Sequence, residues 1–291
     1  MLNPEFFRRK VSPFTPDVLK VAGLHACEDQ SVEACGLVVA GEYQRCENIS
    51  DEPEAAFEID PAVYAEAEET GGLMGLIHSH IGGDDFRPSR EDAEGQLVTG
   101  IPWAIIMPGE AGAELSCHWG LPRPALLRAD GSHQVRSFMH LVSDCYSVVQ
   151  DFYGAVGIEL DDMPRAWNWW KRPDVHGSMY LDNLQAQGFD VVSTDPLSFN
   201  GLMRPGDGYL MCIGSRVPNH AGVYLGGGLV MDHTVLHGGL SRVTPAAPLV
   251  RHMTHLLRHR GWVSAAEAHG VPCDTGQGIA AAVGRVMVSD G

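Results

Sequence analysis

Two histidines with the spacing of metal ligands occur in the stretch GLIHSHIGGDDFRPSREDAEG, residues 75–95. His78 and His80 are two positions apart, and alternate residues of a β-strand project from the same face. Asp92 lies one turn into the helix predicted to follow, and it offers a carboxylate oxygen. Two histidines and one carboxylate, with water in the fourth position, are typical of hydrolytic zinc sites. The spacing therefore predicts a Zn²⁺ site formed by His78, His80 and Asp92.

A zinc hydrolase also needs a carboxylate that accepts a proton from the metal-bound water. Glu33, at the start of the apolar run EACGLVV, is the candidate general base. Ser89 and Asp92 have a second interpretation, because S-x-x-D before a helix is also a capping box, in which both side chains bind backbone donors. The residues alone leave both interpretations of Asp92 open.

A second reactive group is Cys145, in the segment SDCYSVV. It lies near the start of a predicted helix capped by Ser143, where backbone amides and the helix dipole stabilise a thiolate. The candidate base is His220, which precedes a predicted strand. The residue that orients the imidazole is expected on the adjacent strand, where LVMDH offers Asp232 or His233. Alternation along a strand allows only one of these two to face His220.

The elements that position the first group alternate between helix and strand. Apolar periodicity and cap residues predict helices over 15–28, after Pro61 in 57–70, and over 89–98. Apolar and β-branched runs predict strands over 34–43, ending at Gly41, and over 73–80 and 101–109. This alternation is α/β in character.

A different set of elements follows residues 120–134, whose prolines and glycines are typical of a linker. The spacing predicts a helix over 143–157, two short strands around a glycine turn over 221–233, and a strand or short helix over 248–261. We therefore predict a first domain over 1–122, a linker over 123–133, a second domain over 134–261, and a tail of unknown role over 262–291.

Composition excludes several classes of protein. The 291 residues suffice for two domains, and the net charge of −17 argues against a nucleic-acid binder. No apolar run reaches the roughly 18–20 residues of a membrane span, and the N-terminus lacks the apolar core of a signal peptide. Seven cysteines without a C-x-x-C pair suit a reducing compartment. We therefore expect synthesis in the cytoplasm, with most cysteines packed in a core.

The segments EACGLVVAG, HSH and PSRED occur in the order of a known motif, and residues 15–120 resemble the JAMM (MPN-type) metalloproteases. The resemblance implies an α/β/α domain similar to cytidine deaminases and hydrolysis of amide or isopeptide bonds. It also implies roles for five residues: Zn²⁺ ligands at His78, His80 and Asp92, the general base at Glu33, and stabilisation of the oxyanion by Ser89.

The chain departs from the JAMM pattern at two places. Eight residues separate His80 from Ser89, one more than is usual, and Ile81 stands where the family has a proline. The Gly-Gly-Asp-Asp loop between them is expected to absorb the extra residue.

The segments DCYSVV, RPGDGYLM and NHAGVYLGGG lie within residues 134–260, which resemble the NlpC-type cysteine peptidases. This papain-like α+β family cuts cell-wall peptides. The resemblance implies that Cys145 is the nucleophile and His220 the base. Alignment of the glycine turn places Asp232 at the third polar position, whereas many members have histidine there, which keeps His233 as the alternative.

The order of the two domains, together with the phrases FEIDP, LIHSHIGG, DCYSVVQDFY and PNHAGVYLG, resembles the tail-assembly proteins of lambda-like phages over residues 5–260. The resemblance implies a peptidoglycan endopeptidase at the distal tail of the virion, made in the host cytoplasm and acting in the host cell wall. Its expected partners are tail-tip and hub proteins and peptidoglycan peptides. The alternatives are a structural tail-tip protein with one or both centres inactive, a processing protease for another tail protein, and a bacterial isopeptidase acting on ubiquitin-like tags.

Overall fold

The chain forms two compact units, which divide between residues 122 and 123. The computed structural model describes residues 12–81, 87–109, 112–121, 123, 125–127, 133–166, 168–235, 238–268 and 270. Within those ranges, the first unit comprises 12–121 and 164–166, and the second comprises 123–163 and 168–270. None of the described helices is long and apolar enough to cross a membrane.

The first unit is a mixed sheet with three helices. Its elements are α1 (Pro16–Glu28), β1 (Cys35–Val39), β2 (Glu42–Cys46), α2 (Pro61–Glu69), β3 (Leu73–Ser79), α3 (Arg90–Thr99), β4 (Trp103–Gly109) and β5 (Gly112–Trp119). The strand order is β2-β1-β3-β4-β5. Only the neighbours β3 and β4 are parallel, with α3 between them in the chain.

The predicted strand over 34–43 is instead a hairpin. Strand β1 ends at Val39, and Ala40 and Gly41 both have positive φ, at 52° and 88°. Two such residues form the tight turn that joins antiparallel strands, and β2 follows directly. The pairing of β1 with β2 was not predicted, and neither was β5.

Helix α1 packs on one face of this sheet, and the candidate metal ligand His78 projects from the opposite face. Thr15 caps α1 by accepting the Val18 N–H. The helix packs closely on β5, because a Cβ at Gly23 would lie 2.0 Å from the Ala113 nitrogen. Ile77 belongs to the apolar cluster beneath α1. Its neighbour His78 therefore projects from the opposite face of β3.

The second unit is an antiparallel sheet with helices. Its elements are α4 (Cys145–Gly154), a 3₁₀ turn (Trp169–Lys171), α5 (Pro173–His176), α6 (Met179–Asn183), β6 (Phe189–Ser193), α7 (Pro196–Leu202), β7 (Gly208–Met211), β8 (His220–Gly226), β9 (Leu229–His233), β10 (Ser241–Pro245), α8 (Ala247–Val250), β11 (Met253–His259) and α9 (Trp262–Ala268). The strand order is β10-β9-β8-β7-β11-β6, and every neighbouring pair is antiparallel. Helix α4 packs against β8 and β9.

Helix α4 differs from its prediction at both ends. Asp144, rather than Ser143, is the N-cap residue, and Cys145 is the first helical residue. The helix ends at Gly154 instead of Gly157, because residues 155–157 form a turn in which Gly157 has φ of 78°. The stretch 248–261, predicted as a strand or a short helix, contains both: α8 and then β11.

Packed structure extends beyond the predicted second domain in both directions. Trp262 begins α9, is buried, and stacks on Phe152 with ring centroids 5.0 Å apart. Helix α9 therefore belongs to the packed part of the unit, while residues 271–291 of the predicted tail lie outside the described residues. Within the predicted linker, Leu126 and Leu127 are buried; residues 124 and 128–132 lie outside the description.

Candidate functional site

The two histidines and Asp92 of the first unit converge on one point. The Nε2 atoms of His78 and His80 are 3.3 Å apart. One Asp92 carboxylate oxygen lies 3.1 Å from the His78 Nε2, and the other lies 3.4 Å from the His80 Nε2. Among the described residues, these three form the one group of histidine, cysteine and acidic side chains with the geometry of a metal site.

The spacing of these atoms fits a zinc ion. Ligand atoms of a tetrahedral site with bonds of about 2.0–2.1 Å lie about 3.3–3.4 Å from one another. The two Nε2 atoms are 3.3 Å apart, and each lies 3.1–3.4 Å from a different oxygen of the Asp92 carboxylate. Burial acts to raise the pKa of Asp92, but His78 and His80 and the hydrogen bond with Ser89 outweigh it and lower the pKa. Asp92 is therefore an anion, as a zinc ligand must be.

Aromatic packing orients the ring of His78. Phe57 stacks on it at a centroid distance of 4.4 Å, and Trp103 and Trp119 meet it edge-on. The His78 Nδ1 is buried and has no hydrogen-bond partner in the described part of the chain. The orientation of this ring therefore depends on apolar contacts rather than on the hydrogen bond that metal-binding histidines usually make.

The capping box and the metal-site geometry occur together. The Ser89 N–H donates to an Asp92 carboxylate oxygen at 2.8 Å, and the Asp92 N–H donates to the Ser89 hydroxyl at 3.0 Å. The same carboxylate reaches both histidines. The cap fixes Asp92 at the start of α3, so the two interpretations of this residue are compatible. The Ser89 hydroxyl acts as an acceptor in the cap, which leaves its O–H hydrogen as a donor.

Glu33 faces the same cavity as His80, Ser89 and Asp92. Its backbone is held on both sides: its N–H donates to the Pro53 carbonyl at 2.7 Å, and its carbonyl accepts from the Asn48 side chain at 2.9 Å. Only 7% of Glu33 is exposed. Burial raises the pKa of Glu33, although the nearby histidines act in the opposite direction. A raised pKa suits a group that both accepts and returns a proton.

In the second unit, Cys145 occupies the first position of α4. The Asp144 carboxylate accepts the N–H groups of Ser147 at 2.9 Å and of Leu141 at 3.2 Å, which fixes the helix start. The Cys145 sulfur lies 3.3 Å from the Tyr180 hydroxyl. It is therefore held at the positive end of α4, where a thiolate is stabilised.

His220 begins β8 and is buried beside Cys145 and Asp232. Its Nε2 lies 3.3 Å from an Asp232 carboxylate oxygen. Burial acts to lower the pKa of His220, but hydrogen bonds with Asp232 and with Cys145 outweigh it and raise the pKa to about 9. Nε2 faces Asp232, which leaves Nδ1 as the ring nitrogen that is available to Cys145.

Asp232 and His233 point to opposite sides of β9. Asp232 bonds His220, and it also accepts from Arg242 at 2.8 Å and from Tyr209 at 3.4 Å. Burial acts to raise the pKa of Asp232, but the bonds with His220 and Arg242 prevail and lower it. His233 instead lies 3.3 Å from the Gly239 carbonyl and packs against Phe138.

Four residues that complete the two groups were not found from the sequence: Asn48, Asp144, Tyr180 and Arg242. Asp144 is adjacent to the predicted cap, and both residue types are good caps, so the pattern could not separate them. Arg242 reaches Asp232 because the two are paired across β9 and β10, and Tyr180 is 35 positions from Cys145. Neither relationship has a local signal.

Comparison with known proteins identifies relatives of both units. Residues 15–119 match the family model of prokaryotic homologs of the JAB domain. Tail tip assembly protein K of Escherichia phage lambda is 34% identical over 209 residues, which cover 72% of this chain and 92% of that protein. The protein of the same name in Escherichia phage N15 is 30% identical over 228 residues, which cover 76% of this chain and 85% of that protein. The chain therefore belongs to the family of tail tip assembly protein K and contains a JAB-like domain.

Proposed function

We propose that this chain is a tail-tip peptidoglycan hydrolase with two active centres. Its second unit is an NlpC-type cysteine endopeptidase that cuts cell-wall peptides, and its JAB-like domain is a zinc-dependent amide or isopeptide hydrolase. The chain is made in the host cytoplasm, joins other tail-tip and hub proteins in the distal tail of the virion, and acts in the host cell wall during DNA entry. The name of its relatives in phages lambda and N15 supports the tail location.

The observation that carries the proposal is the Cys145–His220–Asp232 group, in which His220 and Asp232 are buried and Cys145 is half-buried. A nucleophilic cysteine at a helix start, which packs on an antiparallel sheet that supplies its histidine, is the arrangement expected of a papain-like α+β peptidase. The pKa of about 9 keeps His220 protonated at neutral pH. Asp232 lies on Nε2 and holds the ring in place, since it is itself bound by Arg242.

The proposed reaction proceeds through a covalent thioester. The Cys145 thiol gives its proton to His220, and the resulting thiolate attacks the carbonyl carbon of a peptide bond, so that a C–S bond forms. The backbone amides at the start of α4 stabilise the negative charge that develops on the carbonyl oxygen. His220 gives its Nδ1 proton to the leaving nitrogen as the C–N bond breaks. Water then hydrolyses the thioester, with His220 taking its proton, and the cysteine is released.

In the JAB-like domain, His78, His80 and Asp92 would hold Zn²⁺. When bound, the ion supplies a water molecule with a pKa near 7. Glu33 takes a proton at its carboxylate and returns it to the leaving nitrogen. Ser89 offers its O–H to the substrate oxygen that becomes negative.

Release of soluble muropeptides from insoluble peptidoglycan tests the proposal. The purified full chain should release them, and Cys145→Ala should abolish the release. Cys212→Ala is the matched control, because Cys212 is another free cysteine of the same unit, and it should retain activity. If release of muropeptides persists in Cys145→Ala but is lost with a chelator, the JAB-like domain is the one that cuts the wall.

The word "assembly" in the name of the relatives favours a second candidate, a structural tail-tip protein with one or both centres inactive. A processing protease for another tail protein is a third candidate. Phage that carries Cys145→Ala together with Glu33→Gln distinguishes them. A structural protein predicts normal tails and normal infection, and a processing protease predicts an uncut tail protein in the virion.

A further inference from the structure

An open cavity of about 1000 Å³ adjoins the His78, His80 and Asp92 cluster. Glu33, Ser89 and Asp92 line it on one side, and the segment from Glu54 to Tyr64 forms its wall. This volume is large enough for several residues of a bound peptide. The charges and contacts of the lining residues therefore bear on which peptide fits.

The described lining of this cavity is acidic. Five carboxylates belong to it and no lysine or arginine does: Glu33, Glu54, Glu58, Glu91 and Asp92. Glu54, Glu58 and Glu91 are exposed, and in the described part of the chain no ion pair engages them. Arg90 precedes Glu91 in the sequence but is paired with Glu94 at 2.7 Å. A cleft lined by one sign of charge concentrates ligands of the opposite sign.

Glu33 is an independent indication of a polar ligand. The residue is 93% buried, since 7% of it is exposed, and its side chain lines the cavity. Within the described residues its carboxylate accepts no hydrogen bond. The carboxylate faces the open cavity, where a substrate that brings N–H donors would supply the hydrogen bonds that it lacks.

The acidic wall is held in place by Asn48. The Asn48 side-chain amide donates to the carbonyls of Glu33 and Ala56, at 2.9 and 3.0 Å, and its oxygen accepts the Glu58 N–H at 3.0 Å. One side chain thus fixes the backbone of Glu33 relative to the segment that carries Glu54 and Glu58. The backbone that carries Glu33 and Glu58 is therefore arranged before any ligand binds, which lowers the entropy cost of binding.

Apolar side chains form the remainder of the cavity. Phe57, Tyr64, Leu76 and Trp103 belong to the lining, and Phe57 and Trp103 contact each other at a centroid distance of 5.6 Å. Such a surface suits the aliphatic stem of a side chain whose charged end lies among carboxylates.

We propose that this acidic groove, lined by Glu54, Glu58 and Glu91, binds a substrate peptide that carries a free primary ammonium group. The aliphatic stem lies on the aromatic side chains, and the ammonium lies among the three carboxylates. The assignment rests on the proposed function of the JAB-like centre and names its substrate class. Both the diamino acid of a cell-wall stem peptide and a lysine in a protein segment have this chemistry.

Calorimetric titration of the full chain tests the proposal. The probes are the tetrapeptide Ala-Glu-Lys-Ala and the same peptide with Nε-acetyl-lysine, at low ionic strength. Acetylation removes the charge and should weaken binding about tenfold, which corresponds to a loss of about 1.4 kcal/mol. The triple variant Glu54→Gln, Glu58→Gln, Glu91→Gln should bind both probes equally.

The matched control is the triple variant Glu66→Gln, Glu68→Gln, Glu69→Gln. It changes the net charge equally, and its three residues are exposed on α2 outside the lining. It should keep the preference for the free amine. Equal binding of the two probes by the unmodified chain, or equal loss of preference in both triple variants, would overturn the proposal.

A further titration identifies the source of the amine. Tighter binding of a diaminopimelate muropeptide than of the lysine peptide indicates the cell wall, and the reverse order indicates a protein; either order supports the proposal. The titration reports binding and does not require hydrolysis. An inert zinc centre would therefore contradict the proposed function while this test still reports on the groove.

Discussion

Ser79 and Ala34 exchange two hydrogen bonds in the JAB-like domain. The Ser79 N–H donates to the Ala34 carbonyl at 2.8 Å, and the Ala34 N–H donates to the Ser79 hydroxyl at 2.9 Å. Ser79 lies between His78 and His80, and Ala34 follows Glu33. These bonds join the strand that carries both histidines to the segment that carries the candidate base.

Ser79→Ala should weaken this connection. The change leaves the Ala34 N–H without its acceptor, and we expect the free energy of unfolding of the first unit to fall by about 1–3 kcal/mol. Zinc content should be unchanged, while kcat for amide hydrolysis falls more than KM rises. Ser79→Thr keeps the hydroxyl and is the control. Unchanged stability and unchanged kcat in Ser79→Ala would show that the bond does not position Glu33.

The start of α4 offers a comparison between neighbouring residues. Asp144→Ala removes the N-cap, and it should lower the free energy of unfolding of the second unit by about 1–2 kcal/mol. Ser143→Ala should not lower it, because the buried Ser143 hydroxyl has no hydrogen-bond partner among the described residues and its removal leaves no group unsatisfied. Urea denaturation of both variants measures the difference. Equal effects would mean that Asp144 is not the cap in solution.

Stability of the second unit should depend on pH through His220. Its pKa is raised from 6.5 to about 9 in the folded chain. The stabilisation is therefore fully present below pH 6.5 and is lost as the pH rises through 9, with a total on the order of 3 kcal/mol. Asp232→Asn should reduce this slope, because Asp232 is one of the two groups that raise the pKa of His220, whereas His252→Gln, at an exposed histidine, should keep it. Urea denaturation between pH 6 and pH 10 makes the measurement, and an unchanged slope in Asp232→Asn would contradict the assignment.

Zinc should stabilise the JAB-like domain. An ion that binds only the folded chain adds about 2.7 kcal/mol at one hundred times its Kd, so melting should shift to higher temperature with Zn²⁺. His78→Ala should abolish the shift and the bound metal. His25→Ala is the control, because His25 lies outside the metal-site group. If the rise in melting temperature with Zn²⁺ persists in His78→Ala, the metal binds at another site.

Local spacing predicted much of the two groups. The alternation of His78 and His80, the cap at Ser89 and the cap at Thr15 each depend on residues within four positions of one another. These features are present in the structure because backbone geometry alone relates such close neighbours.

The remaining features depend on strand register and loop paths. The choice between Asp232 and His233 required the pairing of β9 with β8 and β10, which also brings Arg242 opposite Asp232. Asn48 lies in a loop. The hydrogen bonds from its side-chain amide to the carbonyls of Glu33 and Ala56 join segments that no periodic pattern relates. Residues of this kind follow from tertiary structure, and one sequence holds no local signal for them.

Identification of the bond that the purified chain cuts in peptidoglycan tests the central claim most directly. Mass spectrometry of peptidoglycan incubated with the purified chain should detect stem peptides with new amino and carboxyl termini. We expect these termini with the unmodified chain and with His78→Ala, and we expect none with Cys145→Ala. The same termini in the Cys145→Ala digest, or none in any digest, would contradict the assignment of the second unit as a cysteine endopeptidase.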